Sequence, residues 1–240
     1  MGAQWKTAGK LDSASKKGKL FSKLAKEIAV AAKLGDPNPE NNPRLRAAVE
    51  AAKKNSCPRD TIERAIKKGA GLLDEQVIYE LITYEGFAPH KVPLIVEALT
   101  DNKNRTASEV RVLFRKGQLG SIGSVGWMFD RLGVIEATHA DKSKDPETAA
   151  IESGAQNVEP LEDSEVPAGS VGARFFTDAK DLDVVNKALT KDGWLITLSE
   201  LSYVPKNYLE LESEPKKEVS EFLNAIDDCD DVHRIYTAIR

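Results

Sequence analysis

Three short stretches of the chain contain residue types that can take part in chemistry, and the first is DDCDDVH. Here Cys229 and His233 lie four residues apart, and the aspartates beside them could chelate Mg²⁺. A zinc site needs a second pair of ligands, and the sequence shows none. Two interpretations therefore stay open, a metal site or a partly buried cysteine in a solvated acidic turn. We predict the second, and no metal.

The second stretch is the glycine-rich GQLGSIGSVG, whose backbone N–H groups could cradle a phosphate. It lacks the G-K-[ST] of a P-loop and the glycine spacing of a dinucleotide-binding loop. It also precedes a strand instead of a helix, so no helix N-terminus would face the anion. We predict a connection or a surface contact loop.

The third stretch, DNKNRT, occupies a predicted strand-to-helix turn. Asn102, Asn104 and Thr106 can cap the helix there, and Arg105 could reach a phosphate. Capping is the expected role and phosphate contact is the alternative. The sequence shows no Ser–His–Asp or Cys–His constellation. We therefore predict that the protein is not an enzyme and takes neither a cofactor nor a small-molecule substrate.

The basic residues are unevenly distributed along the chain. Residues 1–71 contain 16 Lys and Arg against 7 Asp and Glu, a net +9, whereas residues 72–240 contain 18 against 31, a net −13. Such asymmetry indicates a polyanion partner for the basic part. The alternative is that Lys and Arg are good helix formers that keep a small bundle soluble. Three consecutive basic helices favour nucleic acid.

Those three helices are predicted from apolar spacing and from their caps. In the first, Phe21, Leu24 and Ile28 share one face and the lysines fall on nearly the opposite face. Asn42 is the expected N-cap of the second, and Gly69 is expected to close the third. The helical pattern gives these candidate phosphate-binding residues: Lys16, Lys19, Lys23, Lys26, Arg46, Lys53, Lys54, Arg64, Lys67 and Lys68.

The rest of the chain has the pattern of an α+β protein. A predicted hairpin and a helix are followed by the order βαββαβ, which is ferredoxin-like. One more helix and strand end the chain and supply what the first unit lacks. We predict a basic helical domain with a flexible N-terminal arm (1–71), a discontinuous α+β domain (72–130 plus 206–240) and an inserted ferredoxin-like domain (131–205).

Composition excludes several classes of protein. The chain is 41% hydrophobic and 30% charged, an ordinary globular composition. No apolar run approaches the ~18–20 residues that span a bilayer, and no secretory signal is visible. Two distant cysteines suit a reducing cytoplasm. With no heptad seam, we expect a cytoplasmic monomer that does not contact a membrane.

Several motifs occur in the order of one known family: KGKLFSKLAKEI, NPRLRAAV, RDTIERAIKKGAG, YEGFAP, DNKNRT, GSVGWMF and IDDCDDVHRIY. Over nearly its whole length the chain resembles the YebC/PmpR family. The resemblance implies an N-terminal three-helix domain followed by two ferredoxin-like α+β domains in a crescent arrangement. It also implies a DNA- or RNA-binding factor with no cofactor and no enzymatic activity.

Bacterial members of that family are described as transcriptional regulators. A mitochondrial branch activates translation, and members are linked to the ribosome and to relief of stalling at proline runs. The opening GAQWK and the stretch TAGKLDSAS depart from the family's GHSKW and basic run, and the loop after Lys116 is shorter. Matching positions carry over the family's nucleic-acid role to Lys16, Lys17, Lys19, Lys23, Arg44, Arg46, Arg59, Arg64, Lys67, Asn102, Asn104 and Arg105.

Three functions therefore stand side by side. The first is a DNA-binding transcriptional regulator, which the basic module and the resemblance favour. The second is an RNA- or ribosome-associated translation factor, which suits a basic end joined to an acidic body. The third is a protein-interaction module that uses the acidic body. We predict the first, because charge alone does not separate DNA from RNA and the resemblance names transcription.

Overall fold

The computed structural model describes residues 14–73, 79–162 and 165–239. Residues 126–208 form one compact unit, and the described residues up to 125 together with those from 209 onward form the other. The helices are α1 (Ala14–Leu34), α2 (Pro43–Lys54), α3 (Arg59–Gly69), α4 (Lys103–Leu113), α5 (Pro146–Ser153), α6 (Leu182–Lys191) and α7 (Ser213–Asp227). The strands are β1 (Glu80–Ala88), β2 (Val92–Thr100), β3 (Gln118–Leu119), β4 (Phe129–His139), β5 (Asn157–Pro160), β6 (Val171–Asp178), β7 (Leu195–Pro205) and β8 (Val232–Thr237).

The helices α1, α2 and α3 pack around a small apolar core, as the sequence predicts. Ile28 and Leu45 are fully buried there, and Ile62 joins them from α3. Asn42 is the N-cap of α2, because its Oδ1 accepts the N–H of Leu45 at 3.1 Å. Its amide also donates to the carbonyl of Ala31 at 2.8 Å, which ties the start of α2 to α1.

A glycine sets how closely α3 approaches α1. A Cβ at Gly69 would lie 2.1 Å from the carbonyl oxygen of Ala29, a distance that no side chain can adopt. The two helix backbones therefore touch directly at this point. This contact fixes the position of α3 in the bundle and, with it, the direction of its exposed side.

The first sheet has the strand order β3-β1-β2-β8, with every pair antiparallel. The predicted hairpin is confirmed, since β1 and β2 pair from Glu80 and Thr100 to Ala88 and Val92. Every residue of β2 is buried, which explains its continuous apolar run. Helices α4 and α7 contribute to the same apolar core, where the rings of Phe114 and Phe222 meet edge to face at 5.6 Å.

The strand that completes this sheet comes from far along the chain. β8 pairs with β2, so that Ile95 lies opposite Tyr236, and residues 126–208 come between the two strands in sequence. The element order of this sheet is therefore ββαβαβ, with a hairpin joining its two central strands. The division into three domains at 71/72, 130/131 and 205/206 stays a prediction.

The second unit has the element order βαββαβ and the strand order β5-β6-β4-β7. Its core contains Ile135, Phe175, Leu189 and Trp194, and the rings of Phe175 and Trp194 lie 5.2 Å apart. The α+β class is confirmed. Of the two sheets described, the second has the ferredoxin-like order, and the first differs because its hairpin lies at the centre of the sheet.

Candidate nucleic-acid interface

Three lysines of α1 contact the turn between α7 and β8. Lys19, Lys23 and Lys26 recur at i, i+4 and i+7, so they share one side of the helix. They face Asp227–Asp231, which we call the acidic turn. The Nζ of Lys23 donates to the main-chain carbonyl of Asp227 and lies 3.1 Å from its Oδ1. The side of α1 that carries these lysines, predicted to be a basic outer face of the module, is therefore partly covered by the acidic turn.

The other two lysines also donate to main-chain carbonyls of the acidic turn. The distance is 2.7 Å from Lys19 Nζ to the oxygen of Asp228 and 2.9 Å from Lys26 Nζ to that of Asp230. Since α7 ends here, its last carbonyls lack partners within the helix, and its dipole places partial negative charge at the same point. The lysines of α1 therefore satisfy the end of α7. As predicted, Cys229 is partly buried and Asp228 and Asp230 are exposed, but the turn also packs against these lysines.

One buried carboxylate organises this contact. The side chain of Asp231 is 3% exposed; its Oδ1 lies 2.7 Å from Lys26 Nζ, and its Oδ2 lies 2.8 Å from Arg105 Nη2. Oδ2 also accepts hydrogen bonds from the hydroxyls of Thr106 at 2.7 Å and Thr100 at 3.3 Å. Burial alone would raise the pKa of Asp231, but the hydrogen bonds from Lys26, Arg105 and Thr106 lower it to about 2.

The strand-to-helix turn around Arg105 has a structural role in the first instance. Asn102 caps α4, because its Oδ1 accepts the N–H of Arg105 at 3.1 Å, so the predicted capping is confirmed there. The guanidinium of Arg105 pairs with Asp101 at 3.0 Å as well as with Asp231. The side chain of Asn104 is exposed. Any phosphate at this turn would compete with two carboxylates for Arg105.

A second charged cluster joins the helices to β8. Glu27 contacts His233 through Oε2 at 3.0 Å and Arg44 through Oε1 at 3.0 Å. Burial raises the pKa of Glu27, but the hydrogen bond from His233 and the charges of His233, Arg44 and Arg234 lower it to about 2. Arg44 is therefore partly exposed, but its guanidinium is already paired with Glu27.

Three further candidates have partners close to them in sequence. Arg46 donates to the main-chain carbonyls of Pro39 and Glu40, at 3.1 and 2.5 Å. Lys68 Nζ lies 3.1 Å from the hydroxyl of Tyr79. The exposed pair of Arg59 and Glu63, at 2.7 Å, is an i,i+4 pair on the surface of α3. Such surface pairs are weak, so Arg59 stays available to another anion.

Four cations of α2 and α3 differ from those of α1. Lys53, Lys54, Arg64 and Lys67 are exposed, and within the described residues their side chains form no ion pair or hydrogen bond. We call these four residues the outer cations. Lys17 of α1 is exposed too, whereas the side chain of Lys16 and the predicted arm before Ala14 lie outside the described residues.

The glycine-rich stretch donates two of its N–H groups to a carboxylate of the protein itself. The carboxylate of Glu85 accepts the N–H of Gly123 and that of Val125, each at 2.8 Å. An internal carboxylate therefore occupies the position that a bound phosphate would take. The loop instead presents Ile122, which is 93% exposed.

The residues of DDCDDVH contact different partners. Cys229 Sγ lies 3.4 Å from Glu109 Oε2, whereas His233 contacts Glu27. Burial raises the pKa of the Cys229 thiol, which favours the thiol over the metal-binding thiolate. Over residues 14–73, 79–162 and 165–239, no three His, Cys, Asp or Glu side chains are grouped as a metal ion would require. In the same part of the chain, no helix is long and apolar enough to cross a membrane.

Comparison with known proteins agrees with this architecture. The family pattern described as the TACO1/YebC protein N-terminal domain matches residues 2–72, and that of the TACO1/YebC second and third domain matches residues 79–239. A protein of Bdellovibrio bacteriovorus named a probable transcriptional regulatory protein is 55% identical over 241 residues, covering 100% of both chains. One of Pseudomonas syringae pv. syringae with the same name is 54% identical, covering 100% of this chain and 99% of the other.

A crystal structure extends the comparison to the fold. It is that of a conserved hypothetical protein from Aquifex aeolicus, with 42% identity and a TM-score of 0.77, covering 95% of this chain and 91% of that one. The relatives that share this architecture are named regulatory proteins. Since the two family patterns together match most of the sequence, the chain belongs to the TACO1/YebC family, as its motifs predict.

Sequence reasoning missed the partners of the α1 lysines and of Glu27. Both partners lie about 200 residues further along the chain, for example 204 residues from Lys23 to Asp227. The acidic run was visible as a motif, but its neighbours were not. One signal could have predicted this contact between the acidic run and α1. The chain has several carboxylates at the end of one helix and a basic helix with few acidic residues nearby in sequence.

Proposed function

We propose that this chain is a nucleic-acid-binding regulator of gene expression, and that it acts on DNA as a transcriptional regulator. The observation that carries the proposal is the set of outer cations, Lys53, Lys54, Arg64 and Lys67. They are exposed, and within the described chain no carboxylate or carbonyl competes for them. Cations of this kind release counterions from a phosphate backbone without losing an internal partner.

The candidate residues therefore fall into two classes. Lys17, Arg59 and the outer cations can reach a phosphate directly. Lys19, Lys23, Lys26, Arg44, Arg46, Lys68 and Arg105 have internal partners, and Asn102 caps a helix. We expect the first class to supply most of the affinity.

DNA is proposed as the target because the relatives are named probable transcriptional regulatory proteins. The alternative is a ribosome- or RNA-associated translation factor. Residues 72–240 carry a net −13, which favours a partner touched by the basic end alone over a long duplex that passes close to the body. Both partners present phosphates, so the choice needs a direct comparison.

The experiment measures the affinity of the full chain for a fluorescent DNA duplex and for a structured RNA, each over a range of salt concentrations. The variant K53Q/K54Q/R64Q/K67Q removes the outer cations. We expect roughly a hundredfold loss of affinity at low salt and a slope of log K against log salt that is shallower by about 3 to 4. Tighter binding of RNA than of DNA at equal salt would favour the translation alternative.

The matched control is K142Q/K180Q/K187Q/K191Q, which removes the same charge from exposed sites of the second unit. It should leave the affinity within about threefold of the unmodified chain, since charges outside the binding surface act only through a field that salt screens, with a Debye length of ~10 Å at 0.1 M. Equal losses in the two variants, or no salt-dependent binding at all, would show that the outer cations are not an interface.

A further inference from the structure

The acidic turn contacts α1 through the same groups that a nucleic acid would use. Lys19, Lys23 and Lys26 donate to main-chain oxygens and carboxylates at Asp227–Asp231. Phosphate oxygens accept hydrogen bonds from lysine in the same way. With side chains only 13% and 16% exposed, Lys23 and Lys26 cannot bind a phosphate while the acidic turn stays in place.

The strength of this contact is not uniform along the turn. Lys26 contacts Asp231, which is buried and also held by Arg105 and Thr106. The carboxylate of Asp227, the partner of Lys23, is 29% exposed. Partly exposed ion pairs add little stability and weaken with salt, whereas a buried, multiply bonded carboxylate does not leave its partners easily. The outer part of the contact can therefore open while Lys26 stays anchored.

We propose that the acidic turn is an intramolecular competitor of nucleic acid. Closed, it withholds Lys19 and Lys23 from a phosphate backbone. When the outer part of the turn opens, Lys19 and Lys23 can bind phosphates together with the outer cations. The pair of Lys26 and Asp231 stays formed and holds the turn to α1. The inference rests on the proposed function, because it concerns the same basic module and the same polyanion.

The first test removes two of the four carboxylate charges of the acidic turn and leaves the lysines and the buried Asp231 unchanged. In the full-length variant D227N/D228N, two exposed or half-exposed charges are lost and Asp231 is retained. Using the DNA duplex, we expect the affinity to rise roughly three- to tenfold at low salt. The slope of log K against log salt should steepen by about 1 to 2, because Lys23 loses its carboxylate partner and Lys19 keeps only the main-chain carbonyl of Asp228.

The matched control is E147Q/E152Q, which changes the net charge by the same amount at exposed positions of α5. A general effect of net charge would raise the affinity equally in both variants and overturn the proposal. So would an unchanged affinity in D227N/D228N. A larger gain in D227N/D228N than in the control supports it.

A second pair of variants identifies the cations that are released. K19Q/K23Q alone should change the affinity by less than about twofold, whereas the same change in D227N/D228N should cancel the gain. An equal loss in both backgrounds would mean that these lysines already bind nucleic acid with the turn in place, and would overturn the proposal. Loss of binding in K53Q/K54Q/R64Q/K67Q tests the proposed function separately, because those residues do not contact the turn.

Discussion

The basic residues of α1 and those of α2 and α3 belong to one small helical module, yet they have different surroundings. Lys23 and Lys26 of α1 are mostly covered and contact carboxylates. Lys53 and Lys67 are exposed and have no such partner in the described chain. The residue types, the helical spacing and the net charge are alike in the two places, so none of these decides which lysines are available.

What decides it is the end of another helix. α7 ends at Asp227, where main-chain carbonyls and the carboxylates of Asp227 and Asp231 accept hydrogen bonds from the lysines of α1. Among the described residues, no helix end accepts a hydrogen bond from the outer cations of α2 and α3. The number of Lys and Arg residues on a surface therefore gives the largest number of phosphate contacts that it could make. Tertiary contacts reduce that number, because they pair some of the cations internally.

Among the variants that test this comparison, D231N should have the largest effect on stability. It removes the charge that Lys26 and Arg105 share inside the protein, and we expect the free energy of unfolding in urea to fall by about 3 kcal/mol. The control is D230N, one residue earlier with an exposed side chain, which should cost less than about 0.5 kcal/mol. Similar values for the two variants would mean that the buried network contributes no more than the surface does.

Acid should act on the α1 contact and not on the outer cations. The folded-state pKa values of Asp231 and Glu27 are both lowered to about 2. Each group therefore adds stability that is fully present above its unfolded pKa of about 4 and is lost as the pH falls towards 2. For Asp231 this amounts to roughly 2 kcal/mol.

Urea unfolding of the full chain between pH 7 and pH 2.5 measures that loss. The variant D231N should show a shallower decline below pH 4.5, whereas K53Q/K67Q should follow the unmodified chain. If D231N and the unmodified chain declined in parallel, the low pKa of Asp231 would not be a source of stability.

The smallest expected effects on the free energy of unfolding come from replacing one lysine by glutamine, either in α1 or in α3. K26Q should cost about 1 kcal/mol of unfolding free energy, since Asp231 keeps Arg105 as a partner. K67Q should stay within about 0.5 kcal/mol of zero. Chemical denaturation of the two variants side by side gives the comparison directly, and a cost at Lys67 equal to that at Lys26 would contradict it.

Much of the fold could be predicted because its signals are local. The apolar stripes of α1 and α3, the cap at Asn42 and the continuous apolar run of β2 each lie within about ten residues. Such patterns reflect helical and strand geometry, which short segments specify by themselves. The fold class and the family followed from these signals and from the motifs.

The availability of the candidate site residues could not be predicted in the same way. The burial of Asp231 and the low pKa of Glu27 depend on α1 meeting the start of β8, a contact that no local pattern encodes. The order of the first sheet was also out of reach, because the short β3 and the distant β8 flank the central hairpin. Long-range contacts of this kind leave no periodic signature in the sequence.

The sequence separation between α1 and the acidic turn has a consequence for synthesis of the protein. Lys23 and its partner Asp227 are 204 residues apart. At ~5–20 residues per second, roughly 10–40 s pass between the translation of one and the other. Throughout that interval the nascent helix emerges with its lysines uncovered beside the ribosome that makes it, and only the arrival of the turn ends this exposure.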